Sequence, residues 1–278
     1  MIELDNINNE PVSTGALTRM FHSLNRMLPE NQNLIKIETS TGLGEALGIL
    51  EKYGISQVPV SEGDYVVGIF SYRSFAQRLK ILSDIRLIIN ELTVEDFIED
   101  APFVRVTDEL NDVLDKMNKS GSILIGAPEQ VQGILTAHDI FSYFYGISSP
   151  YIMLAEIELT LRLFMRAAAS DEKLIECIKS SLSYKYQPDK LPQSLEALAF
   201  EEYQKVITTK DNWLVFEPVF GGKREWLIVI LNDIRELRND VFHFRRQLTP
   251  ADTNLLLRHR NWFLKKAKIL EAKRKSLQ

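Results

Sequence analysis

The chain has 278 residues, of which 45% are apolar and 26% are charged, and its net charge is −5. This composition predicts a soluble protein of about two domains. A single cysteine, Cys177, excludes an internal disulfide, and no apolar run reaches the ~18 residues that a membrane span requires. The N-terminus has no apolar signal-peptide core, so the expected location is the cytoplasm.

The charge is divided unevenly along the chain. Residues 1–150 contain 11 lysines and arginines against 21 acidic residues, whereas residues 151–278 contain 22 against 17. A basic half beside an acidic half suggests a polyanion-binding module joined to something else. The alternative is that the basic tail complements a helix dipole and is only solvated.

Residues 1–33 are polar except for one apolar stripe. The stripe has helical spacing and precedes Pro29: Leu17, Met20, Phe21, Leu24, Met27 and Leu28. We expect a short N-terminal helix that packs on the domain after it.

An internal repeat organises residues 34–150. Ile37–Leu43 matches Val104–Leu110 at an offset of 67 residues, and the same offset carries Gly54 onto Gly121. The later strands match at an offset of 65, which predicts a hairpin two residues shorter in the second copy. Each copy has the pattern of a strand, a helix, two strands and a short helix.

This tandem β-α-β-β-α order resembles a cystathionine β-synthase (CBS) domain pair. The motifs that carry the resemblance are Val58–Val60, Gly68–Ser71, and Val94–Ile98, which is similar to the lead-in to a second unit. The resemblance implies an α+β pair with units at about 34–92 and 93–148. It also implies a nucleotide bound between the units, with its ribose on the acidic residue of an [ST]-x-x-[DN] motif.

The second copy keeps that motif as Thr136-Ala137-His138-Asp139. The resemblance implies that Asp139 accepts the ribose hydroxyls, that the phosphates lie near Thr136, and that the regulatory ligand is AMP, ADP or ATP. The first copy has Ser74 in place of the acidic residue, so we expect one intact and one impaired site. The alternative is that Thr136 and Asp139 form a plain helix cap.

Beyond residues 146–150, which read as a natural boundary, the strand pattern is replaced by helices. The apolar periodicity predicts five of them, at about 151–169, 171–183, 193–209, 224–245 and 250–273. Thr249 followed by Pro250 is a clear start signal for the last. Residues 151–278 are therefore predicted to form an all-α bundle.

The fourth predicted helix carries a polar cluster beside its apolar stripe. Arg238 and Asn239 are followed by His243 one helical turn later. An R-N-x-x-x-H motif late in a basic helical bundle resembles the HEPN superfamily, many of whose members are metal-independent ribonucleases that act as dimers. Ile157–Arg162 is similar in character to the start of such domains.

The HEPN resemblance implies a role for each motif residue in RNA cleavage. His243 transfers the proton of the ribose 2′-hydroxyl, Arg238 stabilises the charge of the phosphorane, and Asn239 orients the phosphate or His243. The sequence has neither a metal-ligand cluster nor a phosphate-binding glycine loop, so we expect no metal and no catalytic cofactor.

Together these features predict a nucleotide-regulated, metal-independent endoribonuclease that acts on RNA as a cytoplasmic homodimer. Toxin-like or defence roles are common among HEPN relatives. Two alternatives remain open. The chain can be a nucleotide-responsive adaptor that holds RNA or a protein without cutting it, or a structural dimer in a larger complex.

Overall fold

A computed structural model describes Leu24, Met27 and Leu28, residues 34–82 and residues 91–276. The chain divides into two compact units, Met1–Tyr145 and Gly146–Gln278. Most of the predicted N-terminal helix lies outside the described residues. Leu24 and Met27, which belong to its apolar stripe, are buried in the core of the second repeat.

The first repeat has the predicted order of elements. It consists of β1 (Ile37–Glu38), α1 (Leu43–Tyr53), β2 (Gln57–Glu62), β3 (Tyr65–Ser71) and α2 (Tyr72–Leu82). Strand β2 lies in the middle of the sheet, parallel to β1 and antiparallel to β3. The core of the first repeat is formed by the apolar faces of α1 and the strands, because the helical and strand periodicities both turn these residues inward.

The second repeat has the same topology. It begins with a 3₁₀ turn (Val94–Phe97) and continues with β4 (Phe103–Val104), α3 (Leu110–Ser120), β5 (Ser122–Ala127), β6 (Gln130–Thr136) and α4 (Ala137–Ala168). Strand β5 is parallel to β4 and antiparallel to β6. The helix that closes the repeat is much longer than its counterpart α2.

The prediction of a hairpin two residues shorter in the second copy is wrong. Both hairpins have a two-residue loop, residues 63–64 in the first copy and 128–129 in the second. The difference lies after the helix, where Ile55 and Ser56 separate Gly54 from β2, whereas β5 begins directly after Gly121. A hairpin's length is fixed by its ladder of backbone hydrogen bonds, while the connection between helix and strand can change length without breaking one.

The two repeats share backbone hydrogen bonds. Ile69 and Glu99 exchange a pair of them, at 3.0 and 2.9 Å, and the N–H of Val66 donates to the carbonyl of Pro128 at 2.9 Å. Gly68 makes this approach possible, because a Cβ there would lie 2.7 Å from the carbonyl oxygen of Glu99. A small apolar core joins the sheets and includes Val66, Ile69, Ala101 and Leu124.

The second unit is largely helical, and its described part contains no strand. After the C-terminal part of α4 come α5 (Asp171–Leu182), α6 (Phe200–Thr208), α7 (Lys210–Phe220), α8 (Arg224–Phe242) and α9 (Pro250–Lys275). Large side chains fill one apolar core, among them Phe164, Tyr203, Phe216, Phe220 and Phe263. Thr249 caps α9 and accepts a hydrogen bond from the N–H of Asp252, as the start signal predicts.

The helix bounds differ from the prediction in several places. Helix α4 runs unbroken through residues 146–150. Pro150 has no N–H to donate to the Gly146 carbonyl, and the Ser149 hydroxyl donates to that carbonyl instead, at 3.5 Å. The predicted helix at 193–209 is the 3₁₀ turn Leu195–Ala197 followed by α6. Helix α7 was not predicted, because its internal Pro218 is a helix-breaking signal that tertiary packing overrides here.

Candidate functional site

Thr136 and Asp139 form a compact hydrogen-bonded cap between β6 and α4. The backbone N–H and the hydroxyl of Thr136 both donate to Oδ2 of Asp139, at 2.8 and 2.7 Å. The N–H of Asp139 donates in return to the Thr136 hydroxyl oxygen at 3.4 Å. Only one carboxylate oxygen is used, and within the described residues Oδ1 accepts no hydrogen bond from the protein. A helix cap and a ribose acceptor are therefore compatible at Asp139.

The equivalent place in the first repeat is arranged differently. The hydroxyl of Ser74 donates to the carbonyl of Ser71 at 3.0 Å and accepts from the N–H of Ser71 at 3.0 Å. Both residues are buried. The hydroxyl of Ser71 donates to a carboxylate oxygen of Glu99 at 2.6 Å. The other oxygen of this carboxylate lies 4.0 Å from Nε of Arg73. This place thus has a serine where the second repeat has Asp139, and the carboxylate beside it already faces Ser71 and Arg73.

Arg238, Asn239 and His243 lie together at the end of α8. Asn239 is in the last turn of the helix, and Arg238 directly precedes that turn. His243 directly follows the helix, and its N–H donates to the carbonyl of Asn239 at 3.1 Å. The helix ends at Phe242 instead of at the predicted residue 245, because Phe244 adopts a left-handed φ of 51°. The side chain of His243 is exposed. No hydrogen bond joins the three side chains to one another in this described segment.

Arg238 is the most constrained member of the motif. Its guanidinium carbon lies 4.8 Å from the ring centroid of Phe242, within the range of a cation–π contact. Its Nε is buried and has no hydrogen-bond partner. An unsatisfied buried donor costs about 1–3 kcal/mol, and an acceptor such as a phosphate oxygen would remove that cost.

Residues outside the motif fix the segment that carries it. The hydroxyl of Tyr151 donates to the carbonyl of Val241 at 3.2 Å, and its ring packs edge-on against Phe242. Arg246 bridges Asp240 and Asp252, at 2.7 and 2.5 Å, and so ties the loop after His243 to both α8 and α9. The bond from Arg246 holds the pKa of Asp252 well below its usual range, with a further contribution from Thr249.

The sequence analysis did not identify these supporting residues. The spacing of Asp240 and Arg246 matches neither a helical turn nor a strand, because the backbone between them is irregular. Tyr151 comes from a helix 90 positions earlier in the chain. The capping box of Asp252 with Thr249 was the one available signal, since it places the start of α9 close to the motif.

Part of the basic excess of the tail is used inside the fold. Lys266 donates to the carbonyl of Phe220 and lies over the ring of Trp262, and burial lowers its pKa. Arg260 donates to both carboxylate oxygens of Glu156, at 2.6 and 2.9 Å. The exposed cations of α9 are Arg258, Lys265, Lys268, Lys273, Arg274 and Lys275.

No group of His, Cys, Asp and Glu side chains within the described ranges has an arrangement that could hold a metal ion. No helix there combines the length and the apolar character needed to cross a membrane.

The comparisons with known proteins identify the N-terminal repeats. The family model of the CBS domain matches the chain twice, at residues 30–81 and 94–146. The first half of the chain therefore contains a tandem pair of CBS domains, which confirms the resemblance drawn from the repeat. No match was found among curated proteins.

Several solved structures are similar to part of this chain. A CBS domain-containing protein of unknown function from Bacillus anthracis has 22% identity and a TM-score of 0.38, with 45% of this chain and 95% of that chain covered. An uncharacterized conserved protein from Pyrococcus horikoshii has 23% identity and a TM-score of 0.39, covering 44% and 92%. CbpB from Streptococcus agalactiae has 13% identity and a TM-score of 0.39, covering 53% and 95%.

Proposed function

We propose that this chain is a nucleotide-regulated, metal-independent endoribonuclease. Its CBS pair indicates a nucleotide-sensing regulatory module, and the proposed ligand is an adenine nucleotide. The proposed cutting domain is the helical unit, as a self-contained bundle similar to HEPN domains. The observation that carries the proposal is the end of α8, where the buried, unpaired Nε of Arg238 lies little more than one turn before the exposed His243.

The proposed nucleotide site is the cap at the start of α4. Oδ1 of Asp139 is left to accept hydrogen bonds from the ribose, while Oδ2 holds the cap. The N-terminal end of a long helix also favours a phosphate group. Because Ser74 stands in place of the acidic residue in the first repeat, and the Glu99 carboxylate there faces Ser71 and Arg73, the proposal is one nucleotide for each CBS pair.

The proposed chemistry uses the hydroxyl of the RNA itself as the nucleophile. The 2′-oxygen bonds to phosphorus as the bond from phosphorus to the 5′-oxygen of the next nucleotide breaks. His243, exposed beside the end of α8, transfers the 2′-hydroxyl proton to that leaving oxygen, and Arg238 supplies a fixed positive charge for the phosphorane. Asn239 orients the phosphate or His243. In the homodimer that we propose, the motifs of two subunits face one cleft, and the nucleotide shifts the dimer between conformations that expose or block it.

One observation favours a second candidate function. The side chains of Arg238, Asn239 and His243, all described, make no hydrogen bond to one another. The residues of a preformed catalytic group, in contrast, are often joined by hydrogen bonds. This arrangement suits a nucleotide-responsive adaptor that holds RNA or a protein partner without cutting it.

Incubation of the full chain with mixed RNA in EDTA, with and without ATP, tests the proposal. We expect cleavage that leaves 2′,3′-cyclic phosphate ends. We also expect His243→Ala and Arg238→Ala each to abolish this cleavage. Arg245→Ala is the matched control, because it removes an exposed cation beside the motif without removing the buried donor. Cleavage by folded His243→Ala at the wild-type rate, or loss of cleavage in EDTA, contradicts the mechanism. Binding of RNA without cleavage supports the adaptor.

A further inference from the structure

A second polar site lies mainly on helix α6, and Arg235 of α8 also lines it. It is an open pocket of about 140 Å³ in the C-terminal unit, formed where the end of α5, α6 and α8 meet. The residues that matter for its chemistry are Tyr184, Lys185, Glu202, Gln204, Lys205 and Arg235. None of them belongs to the R-N-x-x-x-H motif.

A fully bonded carboxylate forms one wall of the pocket. Glu202 is buried and accepts hydrogen bonds from Lys185 at 2.6 Å, from the hydroxyl of Tyr186 at 2.5 Å and from the N–H of Ala199 at 2.8 Å. Burial acts to raise the pKa of Glu202, but these bonds bring it below its ordinary value. The carboxylate is therefore charged and satisfied, which leaves the other lining residues to meet a ligand.

Gln204 supplies a buried acceptor that nothing in the protein satisfies. Its side-chain amide donates to Asn232 at 2.8 Å, but its carbonyl oxygen is buried without a partner. The residue retains only 9% of its exposure and lines the pocket. A buried acceptor without a partner is unfavourable, so a ligand with an N–H or O–H donor would be stabilised there.

Two cations, an aromatic ring and the exposed carboxylate of Glu201 also line the same pocket. Arg235 is partly exposed and forms no hydrogen bond or ion pair within the described residues. Lys205 lies with its ammonium nitrogen 5.6 Å from the ring centroid of Tyr184, whose side chain is 72% exposed. A matching ligand needs an anionic group, a hydrogen-bond donor and a flat ring. A ribonucleotide has all three, as phosphate, 2′-hydroxyl or base amine, and base.

The size and position of the pocket indicate a polymer. Its volume of about 140 Å³ is well below the ~300–1,000 Å³ of pockets that enclose a whole small ligand. It therefore suits one part of a molecule that continues over the surface. Arg235 precedes Arg238 by three residues, so the two lie on neighbouring positions of one helix face, with an axial separation of about 4.5 Å.

We propose that this pocket is an RNA subsite that binds one nucleotide of a strand whose adjoining phosphodiester lies at the Arg238/His243 motif. Arg235 and Lys205 bind phosphate, Gln204 accepts a hydrogen bond from the ribose or base, and Tyr184 stacks on the base. This proposal rests on the proposed action of the C-terminal unit on RNA.

Fluorescence anisotropy with a fluorescein-labelled single-stranded RNA tests the subsite. The full chain carries His243→Ala throughout, so that the RNA stays intact. We expect Arg235→Gln to weaken binding about tenfold, through loss of a charged contact. We expect Tyr184→Ala to weaken it about fivefold or more, through loss of stacking. Lys179→Gln is the matched control, because it removes an exposed cation of α5 that does not line the pocket.

The outcomes separate this proposal from the proposed function. If Arg235→Gln and Tyr184→Ala both bind RNA as tightly as Lys179→Gln does, the subsite is wrong while RNA binding stands. If the parent protein binds no RNA, both proposals fail, and an anionic protein partner becomes the better explanation of the cations. Arg235 and Tyr184 are both solvent-accessible, so melting curves of the two variants should match that of the control.

Discussion

Asp139 has two separable roles in the proposed nucleotide site, and two replacements distinguish them. Asp139→Ala removes both the ribose acceptor and the carboxylate half of the capping box, whereas the Thr136 hydroxyl remains to accept from the N–H of residue 139. Asp139→Asn keeps a side-chain oxygen that can cap the helix but removes the negative charge. Ser74→Ala is the matched control, because it breaks the corresponding cap in the first repeat, where the hydroxyl is already used by Ser71.

The expected magnitudes follow from the contacts. Loss of the carboxylate half of the capping box should lower the free energy of unfolding by about 0.5–1.5 kcal/mol in Asp139→Ala, and by less in Asp139→Asn, which keeps an oxygen acceptor. Loss of charged hydrogen bonds to the ribose should cost about 1.5–3 kcal/mol, which is roughly a tenfold to 150-fold loss of affinity in Asp139→Ala. Asp139→Asn should lie between the wild type and Asp139→Ala in affinity. Ser74→Ala should lose stability without losing affinity.

Titration calorimetry with AMP, ADP and ATP on the full chain measures the affinities, and urea denaturation measures the stabilities. The decisive comparison is between the two readouts. If Asp139→Ala loses stability but binds nucleotide like the wild type, the motif is only a helix cap. If Ser74→Ala weakens binding as much as Asp139→Ala does, the first repeat also binds the ligand and the argument from Ser74 and Glu99 is wrong.

The remaining predictions concern the helical unit. Arg238→Ala combined with His243→Ala should cut RNA scarcely less than either single variant, since both serve one transition state; additive losses in single-turnover assays would contradict this. The logarithm of the RNA-binding constant falls linearly with the logarithm of the salt concentration, and Lys265→Gln with Lys268→Gln should reduce the magnitude of this slope for single-stranded RNA by about 1.4. Lys266→Met should lower the melting temperature and leave the slope unchanged. The pKa of Glu202 is lower in the folded state than in the unfolded state. The ionised Glu202 therefore stabilises the fold at pH values above its unfolded-state pKa, and this stabilisation is lost as the pH falls through its folded-state pKa. Glu202→Gln should therefore flatten the decline of the urea midpoint between about pH 5 and pH 3, and a parallel decline would refute the assignment.

The CBS pair could be predicted from the sequence because its signals are local and occur twice. The apolar stripe of α1 and the glycine after it recur in α3, so each copy supports the reading of the other. The position of the two-residue difference could not be predicted in this way. Strands β2 and β5 have a similar apolar character over several residues, and only the paired registers of the hairpins show where the length changes.

In the candidate sites, the sequence predicted which residues lie close together but not how their hydrogen bonds are used. The spacing of Arg238 and His243 on one helix was enough to place them in neighbouring turns. Lys266 donates a hydrogen bond to the carbonyl of Phe220, 46 positions earlier in the chain, and no periodicity of the sequence predicts this contact. The same is true of Gln204 and Asn232, whose bond leaves one oxygen without a partner.

The backbone bonds between Ile69 and Glu99 have a consequence for how this protein can be divided. Each repeat looks like a module, yet part of the hydrogen bonding of β3 is supplied by the chain that leads into the next repeat. A fragment that ends before Glu99 would leave the edge of β3 open, and open strand edges pair with other molecules. The duplicated pair covers part of the edge of β3 that one repeat alone would leave unpaired, so we expect a single repeat to aggregate more readily than the pair.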